Sequence, residues 1–293
     1  MPKLECVVES KDILGEGVIW HPGEQKLYWC DNLKSNIQRY DPATGEHEVW
    51  DMPEEVGCIV FRENGEGIAA AMKSGFAFIH DLDGPEIEYI VDPEPGMDGN
   101  RMNDGKCDRA GRFWCGSMDA GLAEPTASLY RLDPDLTCHK MDDGIICSNG
   151  IAWSPDDKVM FFSDSKGEAL YNYDFDIDSG AIANRRVFLD TNDKAFRIDG
   201  GTVDSEGHYW CAEVHDWHIG KYAADGNQLE RIEMPVKQVT MCTFGGPDLD
   251  VLYATSATRF LGPGDAERQP LAGALFAITG TGAVGIPEPY FAG

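Results

Sequence analysis

Five polar side chains stand out because glycine lies beside or near them and because their types could do chemistry together. They are Glu16 in Gly15-Glu16-Gly17, Arg101 and Asn103 in the run Arg101–Lys106, Asn149 in Ser148-Asn149-Gly150, and Asp199 in Ile198-Asp199-Gly200-Gly201. Glu16, Asn149 and Asp199 offer two carboxylates and an amide, hard oxygen donors suited to Ca²⁺, Mg²⁺, Mn²⁺ or a similar cation. Such a set leaves coordination positions open for water and substrate. Arg101 supplies fixed donors and Asn103 a donor and an acceptor, which suits the hydroxyls of a polyol. Asp104 and Lys106 read as supports for that segment. Asp119, after the run GRFWCGSM, is a further candidate at the same mouth. Each residue alone also reads as an ordinary turn residue, Asp-Gly and Asn-Gly above all. Their recurrence at equivalent places in a repeat is what points to a site.

That repeat supplies the elements that must position them. Six segments share a short apolar strand, a turn rich in Pro, Asp, Glu or Gly, and an aromatic or apolar strand, about every 40 to 50 residues. They are GVIWHPGEQKLYWCD, GCIVFRENGEGIAAA, GKCDRAGRFWCGSM, GIAWSPDDKVMFFSD, GTVDSEGHYWCAE and CTFGGPDLDVLYAT. Most are followed by a second hairpin half, such as NIQRYDPATGEHEVW or GKYAADGNQLERIEM. Four strands per repeat is the blade of a β-propeller. The sequence therefore predicts an all-β fold: one six-bladed β-propeller domain over residues 1–293, with four-stranded antiparallel blades around a central channel. A β-sandwich would not give six copies of one turn pattern. In a propeller the innermost strands line the channel, and the polar residues above sit where loops feed those strands. The stretch RFLGPGDAERQPLAG is expected to be a loop inside the last blade.

The chain has 293 residues with 24 Lys/Arg against 51 Asp/Glu, a net charge of −27. Nucleic-acid binding needs clustered cations, and so does docking on anionic membranes, so both partner classes are excluded. The nine cysteines are scattered with no CxxC pair, which lacks the spacing of a zinc or iron–sulfur site. They read as buried free thiols in a reducing, cytoplasmic protein. No apolar run has the length of a signal peptide or a membrane span. Neither GxSxG nor HExxH occurs, nor a Walker loop or Rossmann fingerprint. The cluster His215-Asp216-Trp217-His218 is weak as a zinc site, because in a strand His215 and His218 would face opposite sides. It reads as structural or as a rim contact.

Taken together, LGEGVIWHPGEQKLYWCD, RMNDGKCDRAGRFWCGSMD, SNGIAWSPDDKVMFFSD and IDGGTVDSEGHYWCAE resemble the regucalcin/gluconolactonase (sugar lactonase) family, from about Leu14 to Phe276. The resemblance implies a six-bladed propeller with one catalytic divalent cation, whether Ca, Zn, Mg, Mn or Fe. It implies Glu16, Asn149 and Asp199 as ligands, Asp199 as the proposed general base, and Arg101 and Asn103 as substrate contacts, with Asp119 a candidate beside them. Two departures bear on the pocket. Many relatives carry Pro where this chain has Ile198, and small residues where it reads Glu213-Val214-His215-Asp216-Trp217. The expected activity is hydrolysis of a sugar lactone to the sugar acid, with the cation polarising the carbonyl and Asp199 or metal-bound hydroxide activating water. A calcium-binding regulatory propeller, a phosphotriesterase-like hydrolase and a protein scaffold are the alternatives. A pure cation binder has no need of Arg101 beside its site. The expected partner is a small-molecule lactone, bound by a monomer or weak oligomer.

Overall fold

The computed structural model describes residues 2–167 and 169–293. Among them, the strands form six four-stranded antiparallel sheets, each a blade. The inner strands are Gly15–His21, Val56–Phe61, Asn100–Cys107, Ser148–Trp153, Arg197–Val203 and Val239–Gly245. Each contacts the next, and the last contacts the first, so the blades close a ring around a channel. Six apolar clusters fill the seams between neighbouring blades, such as Trp114, Leu129, Ile151 and Phe162 between the third and fourth. The predicted six-bladed propeller is the fold observed.

The turn repeat has a physical cause. In the third blade the Asp108 carboxylate accepts the Ala110 and Arg112 N–H groups and the Trp114 indole N–H at 2.8 Å. In the fifth, Asp204 accepts from Glu206, His208 and the Trp210 indole at 2.9 Å. One buried carboxylate thus shapes the hairpin turn and satisfies the indole that packs beneath it.

Two features of closure lie outside the six repeats. The first strand, Lys3–Val8, pairs with Leu275–Thr279 as the outermost strand of the last blade, tying the two ends of the chain together. The C-terminal stretch crosses the far end of the ring: Ser205, Phe61 and Gly111 backbone groups bond to Val284, Phe291 and Ala292, and Lys106 pairs with Glu288 at 2.6 Å. Lys106 therefore anchors that stretch instead of pairing with Asp104. The Arg259–Gly273 stretch lies inside the last blade as expected, with a single helical turn at Asp265–Arg268.

The seam between last and first blades carries a titratable latch. Asp12 is 1% exposed, and its carboxylate accepts from Trp29 Nε1, Ser10 Oγ and Gln38 Nε2. Burial raises its pKa to about 6, against the pull of those donors. An acid whose folded pKa is raised gives the folded state more protons than the unfolded state between the two values, so stability falls as pH rises through that window. We expect Asp12→Asn to gain on the wild-type by on the order of 3 kcal/mol between pH 4 and 7. Denaturant midpoints at both pH values check this, and a pH-independent difference contradicts it.

Candidate metal and substrate site

Apart from Asp119, which ends the second strand of the third blade, the polar residues named from the sequence lie within the inner strands themselves, not in loops before them. The strands begin up to five residues earlier than the repeat pattern suggested. What lets them carry polar groups into the channel is a register shift in each: between Glu16 and Ile19, Met102 and Gly105, Asn149 and Ala152, and Ile198 and Gly201. Such bulges break the in–out alternation and re-aim a side chain. Gly17 and Gly150 take φ of +60° and +64° at two of them, a conformation that side chains resist.

Five of the six candidates line one pocket of about 560 Å³ at the end of the channel: Glu16, Arg101, Asn103, Asn149 and Asp199. They come from the first, third, fourth and fifth blades. All are buried, with Asn149 at 2% and Asp199 at 9% exposure. Asp119 is not among them. Its carboxylate is occupied by the N–H groups of Gly121, Ala123 and Glu124, which makes it the cap of the turn that follows its strand.

A hydrogen-bond chain fixes the amide face of the site. Arg101 Nη1 donates to Asn103 Oδ1 at 2.8 Å, and Asn103 Nδ2 donates to Ser148 O at 2.8 Å and to Asn149 Oδ1 at 3.1 Å. Asn149 Nδ2 donates to Ser165 Oγ at 2.9 Å, whose hydroxyl reaches Ile198 O at 2.6 Å. Asn149 is therefore held with its oxygen toward Asn103, leaving one lone pair of that oxygen available. Both Asn103 protons are engaged within the protein, so it orients Asn149 in place of offering a free donor to a sugar. Ser165 is a support that sequence reasoning missed, since no repeat motif marks it.

The electrostatics identify what the site lacks. Burial, then the charges of Asp199 and Asp104, push the Glu16 carboxyl well above the usual carboxylate range, with Arg101 opposing. Burial and Asp104 push Asp199 the same way, against the Gly200 N–H and Arg101. Asp104 is buried too and accepts the Ile151 N–H at 3.1 Å. Asp104 is offset in part by Lys106, whereas Glu16 and Asp199 share one guanidinium, whose Nε lies 3.4 Å from Glu55. Among the described residues neither Glu16 nor Asp199 has a cationic side chain within ion-pair distance; uncompensated buried carboxylates are costly. Two carboxylates and an oriented amide oxygen fit a hard divalent cation.

A second acidic group, Glu213, Asp216 and His218, is filled by Arg231, which pairs with both carboxylates. Glu213 also accepts from Tyr222 Oη and Gln228. The His215–His218 cluster is a tight turn in which His215 and Trp217 have positive φ. His215 lines the pocket, while His218 belongs to the Arg231 network.

The bulge at Asn149 gives a direct prediction. A Cβ on Gly150 would lie 2.4 Å from Tyr209 Oη and 3.1 Å from Asp199 O, at a positive φ. Gly150→Ala is expected to cost about 2 kcal/mol or more and to weaken cation binding, because it displaces Asn149 and Asp199 together. Thermal melting and ion titration measure the two effects; an unchanged affinity would contradict the placement of the bulge.

Residues 14–258 match the SMP-30/gluconolactonase/LRE-like region, and the chain belongs to that family. It is 35% identical to a 6-deoxy-6-sulfogluconolactonase of Pseudomonas putida, over 99% of both chains. It is likewise 35% identical to a pentonolactonase of Haloferax volcanii, over 96% of both. Among solved structures it is similar to a calcium-binding protein, regucalcin, from Agrobacterium tumefaciens. That match has a TM-score of 0.93 and 27% identity and covers 98% of this chain and 96% of the other.

Proposed function

We propose that this protein is a metal-dependent sugar lactonase, opening a lactone ring to the sugar acid. The observation that carries the reading is the meeting of Glu16, Asn149 and Asp199, from three blades, with Arg101 in one buried pocket. Two relatives named for lactonase activity, aligned over nearly the whole chain, support it.

Glu16, Asn149 and Asp199 would hold the cation. When bound, a divalent ion supplies Lewis-acid polarisation of the lactone carbonyl and charge for the oxyanion. Asp199 takes a proton from the water whose oxygen bonds to the carbonyl carbon. As the ring C–O bond breaks, that proton passes to the departing ring oxygen, which leaves as the sugar's hydroxyl. No covalent enzyme intermediate is required. Arg101, the cation nearest the carboxylates, orients the ring through its remaining donors, and Asn103 holds Asn149 in register. Asp104 keeps the local potential negative, which favours cation binding.

The regucalcin likeness supports calcium as one candidate ion, alongside Zn, Mg, Mn and Fe. Nine free cysteines, most of them buried, support a reducing, cytoplasmic location for a protein acting alone on a small molecule. No helix is long and apolar enough to cross a membrane among the described residues.

Acid release from a panel of sugar lactones, corrected for spontaneous hydrolysis, tests the reading. Release well above background for at least one lactone is expected. None from folded, metal-loaded protein would contradict it.

A further inference from the structure

The outer wall of the same pocket is basic. Lys166, Arg197 and Arg259 line it with Arg101, so among the described residues the lining holds four Lys/Arg and two Asp/Glu. The chain as a whole has the opposite balance, 24 against 51. The two carboxylates of the lining, Glu16 and Asp199, match the charge of one divalent cation, while Arg101 lies beside Glu55 and Asp104 is near Lys106. Arg259 lies close enough to act on Arg101, and Lys166 and Arg197 act on His215, so the outer cations border the inner group on the side of the opening.

The three outer cations come from separate segments. Lys166 follows the second strand of the fourth blade and is exposed. Arg197 begins the inner strand of the fifth, with Nη1 donating to the carbonyls of Thr191, Lys194 and Phe196. Arg259 lies in the loop of the last blade, its guanidinium 4.8 Å from the Phe260 ring centroid. Neither Lys166 nor Arg259 has a carboxylate within 4 Å among the described residues. In a protein of charge −27, two cations that have no acidic partner among the described residues, at one opening, raise the local concentration of anions there.

We infer that the pocket selects lactones carrying an anionic substituent, a sulfonate, phosphate or carboxylate, on a carbon remote from the reacting carbonyl. The inference rests on the lactonase reading and adds the substrate class. The substituent docks against Lys166 and Arg259 while the ring carbonyl lies at Glu16, Asn149 and Asp199. Arg suits such a group because its planar donors match paired anionic oxygens.

The test compares kcat/KM for a neutral hexonolactone with that for lactones of the same ring bearing a terminal sulfonate, phosphate or carboxylate. It uses the metal-loaded full-length protein and a Lys166→Met/Arg259→Met double variant. At least a tenfold preference for one charged lactone is expected, carried mainly by KM, and the best arm names the group. The charged-to-neutral ratio should fall toward one in the double variant and in about 0.5 M salt, which screens beyond a few ångströms. Calorimetry with the ring-opened acids, which need no turnover, should show tighter binding of the doubly charged product and loss of that difference in the variant. Equal kcat/KM on neutral and charged lactones, or a ratio unmoved by the double substitution, overturns the inference and leaves the lactonase reading intact. No acid release from any lactone would overturn both.

Discussion

Asp199→Asn should lower kcat/KM on a lactone substrate by about a thousandfold, while the protein still folds. General-base removal alone is worth roughly 10²–10⁴. In the proposed reading the same side chain is also a metal ligand, so the loss is placed at the middle of that range and not at its lower end. Folding should survive because asparagine matches the shape and keeps an oxygen in the same place. It also removes one of three buried acids that repel one another. Progress curves and a melting profile on the same preparation separate the two effects. Activity within tenfold of wild-type would remove Asp199 from the proton-transfer role.

Glu16→Gln carries the second large effect, and its sign distinguishes a ligand from a structural residue. In metal-free protein, burial and the charges of Asp199 and Asp104 act against the Glu16 carboxylate. The neutral amide should therefore make the metal-free protein more stable than wild-type. A divalent ion present at a hundred times its Kd should stabilise the wild-type by about 2.7 kcal/mol. For a chain of this size that is a rise in Tm of about 4 °C. The variant should show little of that rise at the same ion concentration. A Glu16→Gln protein that is destabilised without metal, yet stabilised as much as wild-type by it, would show that Glu16 holds the fold and not the ion.

The six-fold repeat was legible because each blade repeats one local solution, an apolar hairpin whose turn is tied by a carboxylate such as Asp108 or Asp204. Closure was not: Lys3–Val8 looks like any other strand, and its pairing with Leu275–Thr279 joins the two ends of the chain. Glu16, Asn149 and Asp199 could be picked out because glycine next to a polar residue recurs at the same phase of the repeat. The bulges that aim them could not, since a bulge is a relation between two strands. Asp119 illustrates the limit of phase alone, because Asp-Ala-Gly-Leu is a turn sequence and its carboxylate serves that turn. The hydrogen bond from Asn103 to Asn149 depends on the spacing of the third and fourth blades. Lys166, Arg197 and Arg259 were missed because they belong to no repeated motif and converge only once the ring closes.

In the proposed function the channel residues hold a cation on which lactone opening depends. Acid release from one sugar lactone, followed with a single preparation first stripped by chelation and then reloaded with one divalent ion, tests that dependence. Release at the spontaneous rate before reloading and many-fold faster release after it, saturating with the ion that also raises Tm, is the predicted result. Equal release before and after, by protein shown to be metal-free and folded, would contradict it.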